Sequence, residues 1–88
     1  MKIKGEFILR TLADDVVAIP VGQTALELNG MILLNDVSKV IWECLAQECD
    51  IPGIVTAVTD AFEVSAQEAE ADILEYLSKL RENGLLEE

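Results

Sequence analysis

The sequence predicts an α+β domain, a small N-terminal antiparallel β-sheet followed by three α-helices, and two observations carry that expectation. Before residue 35 the apolar residues come in short runs, rich in β-branched side chains and broken by turn-forming residues; after it they recur every three or four positions. The changeover falls within Leu34 to Leu45, Leu-Asn-Asp-Val-Ser-Lys-Val-Ile-Trp-Glu-Cys-Leu, where a strand ends and an amphipathic helix begins.

Residues 1 to 6 read as a short polar lead. Phe7 to Leu12 and Val16 to Ile19 form a hairpin across Ala13-Asp14-Asp15, and Pro20, which has no N–H to donate, marks the end of the second strand. Val21-Gly22-Gln23 is expected to turn the chain. Asn29-Gly30, between Ala25 to Leu28 and Met31 to Leu34, suits a type I′ hairpin because both central residues of that turn need positive φ. The spacing leaves open whether 25 to 28 is a strand or an extended lead.

Asn35 or Asp36 then caps a helix whose stripe is Val37, Val40, Ile41, Cys44 and Leu45. Trp42 lies off that stripe and is expected to pack over the sheet, the alternative being a place in a partner surface. Asp50 caps a second helix with Pro52 in its first turn and a stripe of Ile51, Ile54, Val55, Val58 and Phe62. Ser65-Ala66-Gln67-Glu68 reads as a capping box for the third, striped by Ala69, Ile73, Tyr76, Leu77 and Leu80. Acidic residues at its start and Lys79 and Arg81 near its end match the helix macrodipole. Asn83-Gly84 terminates it, and Leu85-Leu86 is expected to fold back on the core. Strands first and three short helices after is the order of a winged helix-turn-helix-like domain, spanning residues 1 to 88 as a single unit.

Bulk properties narrow the function. Seventeen Asp and Glu against six Lys and Arg give a net charge of −11, a field that repels phosphate backbones, and the basic residues form no run. No apolar stretch is long enough to span a bilayer and no signal-peptide core follows Met1, so a cytoplasmic chain is expected. Two cysteines, Cys44 and Cys49, are not a disulfide framework, and without histidine no zinc-ligand spacing is present. The usual base for nucleophilic catalysis is likewise missing, and the five glycines are isolated rather than grouped in a phosphate loop. Asp36-Val37-Ser38 superficially resembles a carrier-protein attachment site, but it lacks the Asp-Ser-Leu context and follows a sheet. A non-enzymatic binding module without a cofactor remains, and a small sheet beside a helix offers such a module an edge for peptide addition.

Four segments together resemble the PqqD-like family of peptide-recognition domains, the RiPP recognition elements: Leu28-Asn29-Gly30-Met31-Ile32-Leu33-Leu34-Asn35, Val40-Ile41-Trp42-Glu43-Cys44-Leu45, Ala71-Asp72-Ile73-Leu74-Glu75-Tyr76-Leu77, and Leu80-Arg81-Glu82-Asn83-Gly84-Leu85-Leu86. The resemblance runs from about Phe7 onward. It implies a non-catalytic domain that captures the leader segment of a ribosomally made precursor peptide and presents it to a modifying enzyme, often a radical S-adenosylmethionine protein. It further implies that the leader docks as an added strand in a cleft between the third strand and the third helix. In this chain that points to Met31, Ile32, Leu33 and Leu34 on the strand and to Asp72, Ile73, Tyr76, Leu77 and Leu80 on the helix. Each apolar candidate has a competing place in the core, and strand alternation sends about half of the strand residues to the other face. The expected partners are a leader peptide and an enzyme, without nucleic acid or membrane, and the chain is expected to be a monomer or weak homodimer. The alternatives are a winged-helix nucleic-acid binder and a structural subunit that docks on a larger enzyme.

Overall fold

The computed structural model describes residues 1–28 and 30–88. Its elements run β1 (Lys2–Ile3), β2 (Phe7–Leu12), β3 (Asp15–Pro20), α1 (Gly22–Glu27), β4 (Ile32–Leu34), α2 (Asp36–Leu45), α3 (Ile51–Ala61), α4 (Ala66–Glu82) and β5 (Leu86–Glu87). The main sheet is antiparallel in the order β2-β3-β4, and β1 pairs with β5 in a separate two-stranded ribbon. The expected α+β architecture is therefore present, with N-terminal strands leading into helices.

Cross-strand register assigns the two faces of the sheet. Thr11, Val16 and Leu34 share one row and Leu9, Ala18 and Ile32 the next, on the face toward the helices; Arg10, Val17 and Leu33 form a row on the outer face. Ala18 and Leu34 join Ile41, Trp42, Leu45, Ile54, Val58, Ala69, Ile73, Leu77 and Leu80 in one buried cluster. Three helices thus cover the inner face, each through its own apolar stripe.

Helix ends are held as their sequences dictate, with one exchange. Asn35 Oδ1 accepts from the Ser38 N–H at 2.8 Å while Ser38 Oγ accepts from the Asn35 N–H at 2.8 Å, so the reciprocal capping box lies at α2. At α4, Ser65 accepts from the Glu68 N–H at 3.1 Å, and among the described residues the return bond is absent. Asp50 caps α3 through the Gly53 N–H at 2.9 Å. Gly84, at φ 71°, ends α4 in a Schellman arrangement: the Leu85 N–H donates to the Leu80 carbonyl at 2.8 Å and the Gly84 N–H to that of Arg81 at 3.1 Å.

Three local expectations are corrected. Gly22 to Glu27 is a helix and not a turn leading to an extended segment. Gln, Ala, Leu and Glu favour helix intrinsically, and the Thr24 hydroxyl anchors the segment by accepting from the Glu6 N–H at 2.8 Å. The Asn29-Gly30 hairpin has no N-terminal strand to join, and Asn29 itself lies outside the described residues; Gly30 does sit at φ 87°. The polar lead contributes β1, whose pairing with Leu86 and Glu87 draws both ends of the chain together. Leu85 and Leu86 pack on the core, as expected.

Trp42 is buried between layers. Its ring meets Phe7 edge to face, centroids 5.0 Å apart, and its Nε1–H donates to the Tyr76 hydroxyl at 2.8 Å. Ser38, a buried polar residue, is satisfied by the capping box, and among the described residues no buried side-chain nitrogen or oxygen lacks a partner. Burial pushes the Tyr76 phenol above its ordinary pKa, against the opposing influence of Trp42 and the Ser38 hydroxyl.

Two outcomes are expected. Ser38→Ala, which removes one half of the box, costs about 1 kcal/mol in urea unfolding. Tyr76→Phe leaves the indole N–H of Trp42 without its partner and costs about 1–2 kcal/mol in the same measurement. Because the folded-state pKa of Tyr76 is raised, its contribution is complete below the ordinary tyrosine value near ~10 and is lost as pH rises through the higher folded value. Urea midpoints followed across that alkaline range fall in the native chain and fall less in Tyr76→Phe; equal slopes would refute the assignment.

Candidate functional site

β4 is an edge strand. One side pairs with β3 through Val16↔Leu34, Val17↔Leu33 and Ala18↔Ile32, and among the described residues no strand occupies the other. Exposed edges are ordinarily shielded by charge, proline or a covering element, because their free N–H and C=O groups accept any extended chain. β4 carries none of the first two: its residues are Ile32, Leu33 and Leu34.

Alternation separates these side chains. Leu34 is 4% exposed and Ile32 is half-buried on the helix side, whereas Leu33, at 66%, stands on the outer face. Met31, just before the strand, is 57% exposed. The outer face also exposes Ile8 and Leu12 of β2.

A groove runs beside β4 on the helix side. One wall is α4, through Asp72, Glu75, Tyr76 and Lys79; the floor is the start of α2, through Asn35, Val37, Ser38 and Ile41. The groove continues to Leu33 and Leu34 and to Asp15 at the start of β3. Asp72, Tyr76 and Lys79 lie at i, i+4 and i+7, a second stripe alongside the buried one of Ala69, Ile73, Leu77 and Leu80. The capping box turns the chain from Leu34 directly into α2, so the end of β4 and the start of α2 border the groove together.

Of the residues expected at the site, Leu33, Leu34, Asp72 and Tyr76 line the groove. Met31 extends the outer face, and Ile32 faces the sheet interior. Ile73, Leu77 and Leu80 are buried in the core cluster beneath the groove, and their side chains are not on its surface. Sequence reasoning did not single out Asn35, Val37, Ser38, Ile41, Glu75, Lys79 or Asp15 as lining residues. The spacing of 72, 75, 76 and 79 signals the α4 wall; which face of α2 forms the floor is decided by packing.

Charge is unevenly divided. Residues 1–35 hold four Asp and Glu against three Lys and Arg, and residues 36–88 hold thirteen against three, so nearly all of the negative charge belongs to the helical half. Within the groove, Asp15, Asp72 and Glu75 stand against Lys79, whose ammonium lies 3.8 Å from Glu75 across an exposed helical turn. Such a pair contributes little to stability and leaves the groove net negative.

Cys44 and Cys49 are free, partly buried thiols away from this groove, and burial is the main cause of a raised Cys44 pKa. Among the described residues no group of three or more His, Cys, Asp or Glu is placed to hold a metal ion, and no helix is long and apolar enough to cross a membrane.

No curated protein matches the chain. Among solved structures, TbiB1 in complex with the TbiA(beta) leader peptide aligns with a TM-score of 0.73 at 25% identity, covering 99% of this chain and 95% of that one. The family model described as coenzyme PQQ synthesis protein D (PqqD) matches residues 16–86, which include β4, all of α2 and α3, and the whole of α4. The chain therefore belongs to the PqqD family.

Proposed function

We propose that this chain is a non-catalytic recognition domain that binds the leader segment of a ribosomally synthesised precursor peptide. The leader adds as a strand to the open edge of β4 and presents the rest of the precursor to a modifying enzyme, a radical S-adenosylmethionine protein being the partner the family resemblance implies. The observation that carries this reading is an unpaired apolar edge strand bordering a groove, in a PqqD-family chain whose solved neighbour TbiB1 is complexed with a leader peptide. Main-chain hydrogen bonds along the edge supply affinity, and the groove supplies side-chain selection. On this reading Leu33, Leu34, Asp72 and Tyr76 meet the peptide, while Ile73, Leu77 and Leu80 hold α4 at the right distance. The encounter belongs in the cytoplasm, where ribosomal precursors are made.

A second reading, a subunit that docks on a larger enzyme without touching substrate, draws support from the exposed outer face of Ile8, Leu12, Met31 and Leu33. Nucleic-acid binding is disfavoured by the charge of the helical half.

The test is titration of the isotope-labelled chain with a synthetic leader from a precursor encoded beside it. Amide shifts are expected at residues 32–34 and 72–79, together with a change in the emission of Trp42, the only tryptophan, through its bond to Tyr76. Leu33→Glu, at an exposed position, should leave the fold intact and weaken binding about tenfold, a loss of ~1.4 kcal/mol. Enzyme binding with no leader binding would select the second reading.

A further inference from the structure

Resting on the strand-addition reading, we propose that the groove selects a leader segment in which apolar residues alternate with lysine or arginine, the basic row lying in the groove and the apolar row outside it. An added strand in the plane of the sheet sends successive side chains to opposite faces. On the outer face they continue past Leu33 and Met31, which are largely exposed and apolar and lie beside the cross-strand row of Val17. Apolar peptide residues bury surface there, whereas the charged groups of that face among the described strand residues, Arg10 and Asp15, lie in the rows of Val17 and Leu12.

The inner row meets a different environment. Tyr76 and Val37 offer apolar surface, and on α4 Asp72 lies one helical turn before Tyr76, Glu75 immediately before it and Lys79 one turn after it. A lysine or arginine suits this arrangement as a whole: its aliphatic stem lies on Tyr76 and Val37 while its cationic head reaches the carboxylates. The tyrosine ring adds a favourable face for the cation. Among the described lining residues Lys79 is the one opposing charge, and Glu75 stands 3.8 Å from it. An acidic side chain in the same row would meet the two carboxylates of Asp72 and Glu75 against one ammonium. The groove borders the helical half, where the excess negative charge resides, so the long-range field and the local contacts favour the same sign of ligand.

The field alone would attract any cationic peptide, so the experiment separates it from the groove. Short synthetic peptides that share an alternating apolar row and carry Lys, Gln or Glu in the other row are titrated into the full chain, followed by Trp42 emission and by amide shifts at β4. The Lys peptide is expected to bind about tenfold more tightly than the Gln peptide at low salt, and the Glu peptide more weakly than both. Asp72→Asn combined with Glu75→Gln should erase the difference between the Lys and Gln peptides. Asp60→Asn combined with Glu63→Gln, which removes the same charge away from the groove, should change the Lys peptide affinity by less than about twofold. Thermal unfolding of both double variants checks that each is folded. Equal affinities for the Lys and Gln peptides, or equal losses in the two double variants, would overturn the selection rule while edge shifts at β4 still upheld strand addition. Absence of binding and of β4 shifts with all of the peptides would overturn both.

Discussion

The reciprocal hydrogen bonds between Asn35 and Ser38 are the constraint on which the site depends. Leu34 has to be buried in the core, and the helix that begins two residues later has to leave the sheet at once. A looser connection would let β4 move away from the helices; the box holds the strand against the β3 side while committing Asn35 and Ser38 to the helix start. The same residues form the floor of the groove, so the feature that ends the strand also shapes the surface beside it.

α4 serves the core and the groove by dividing its circumference. Ala69, Ile73, Leu77 and Leu80 are buried, and Asp72, Tyr76 and Lys79 occupy the neighbouring stripe. Tyr76 is the link between them. Its hydroxyl accepts from Trp42, whose ring is fixed by Phe7, while the rest of the side chain borders the groove. A peptide against this wall would thus touch a side chain linked through Trp42 to Phe7 of β2.

The edge and the charge distribution complement each other. The sheet half is nearly neutral and exposes apolar residues on its outer face, whereas the helical half is strongly acidic. Where they meet, at β4, a bound strand would experience an apolar environment on one face and an acidic one on the other. On the proposed reading, this edge strand without a charge of its own recruits an extended chain, and the surrounding carboxylates bias which chain that is.

Periodicity and capping chemistry were enough to determine the strand-then-helix order, the three long helices, the caps at Asp50 and Ser65, and the glycine-terminated end of α4, because each is set by residues within a few positions of one another, while the cap of α2 was narrowed to Asn35 or Asp36. Of the residues the resemblance pointed to, Leu33, Leu34, Asp72 and Tyr76 border one groove. Tertiary structure alone decided three things. Ala25 and Leu26 lie in a helix that the Thr24 hydroxyl ties to the distant Glu6 N–H, where an apolar run beside Asn-Gly reads equally well as strand. The terminal ribbon required residues 2 and 87 to meet, a pairing no local pattern encodes. Finally, Ile73 and Leu77 went to the core while Tyr76, which periodicity reads into the same stripe, stayed at the groove, because a helix of this pitch turns each neighbour by about 100° and only the position of the packed layers determines which side faces inward.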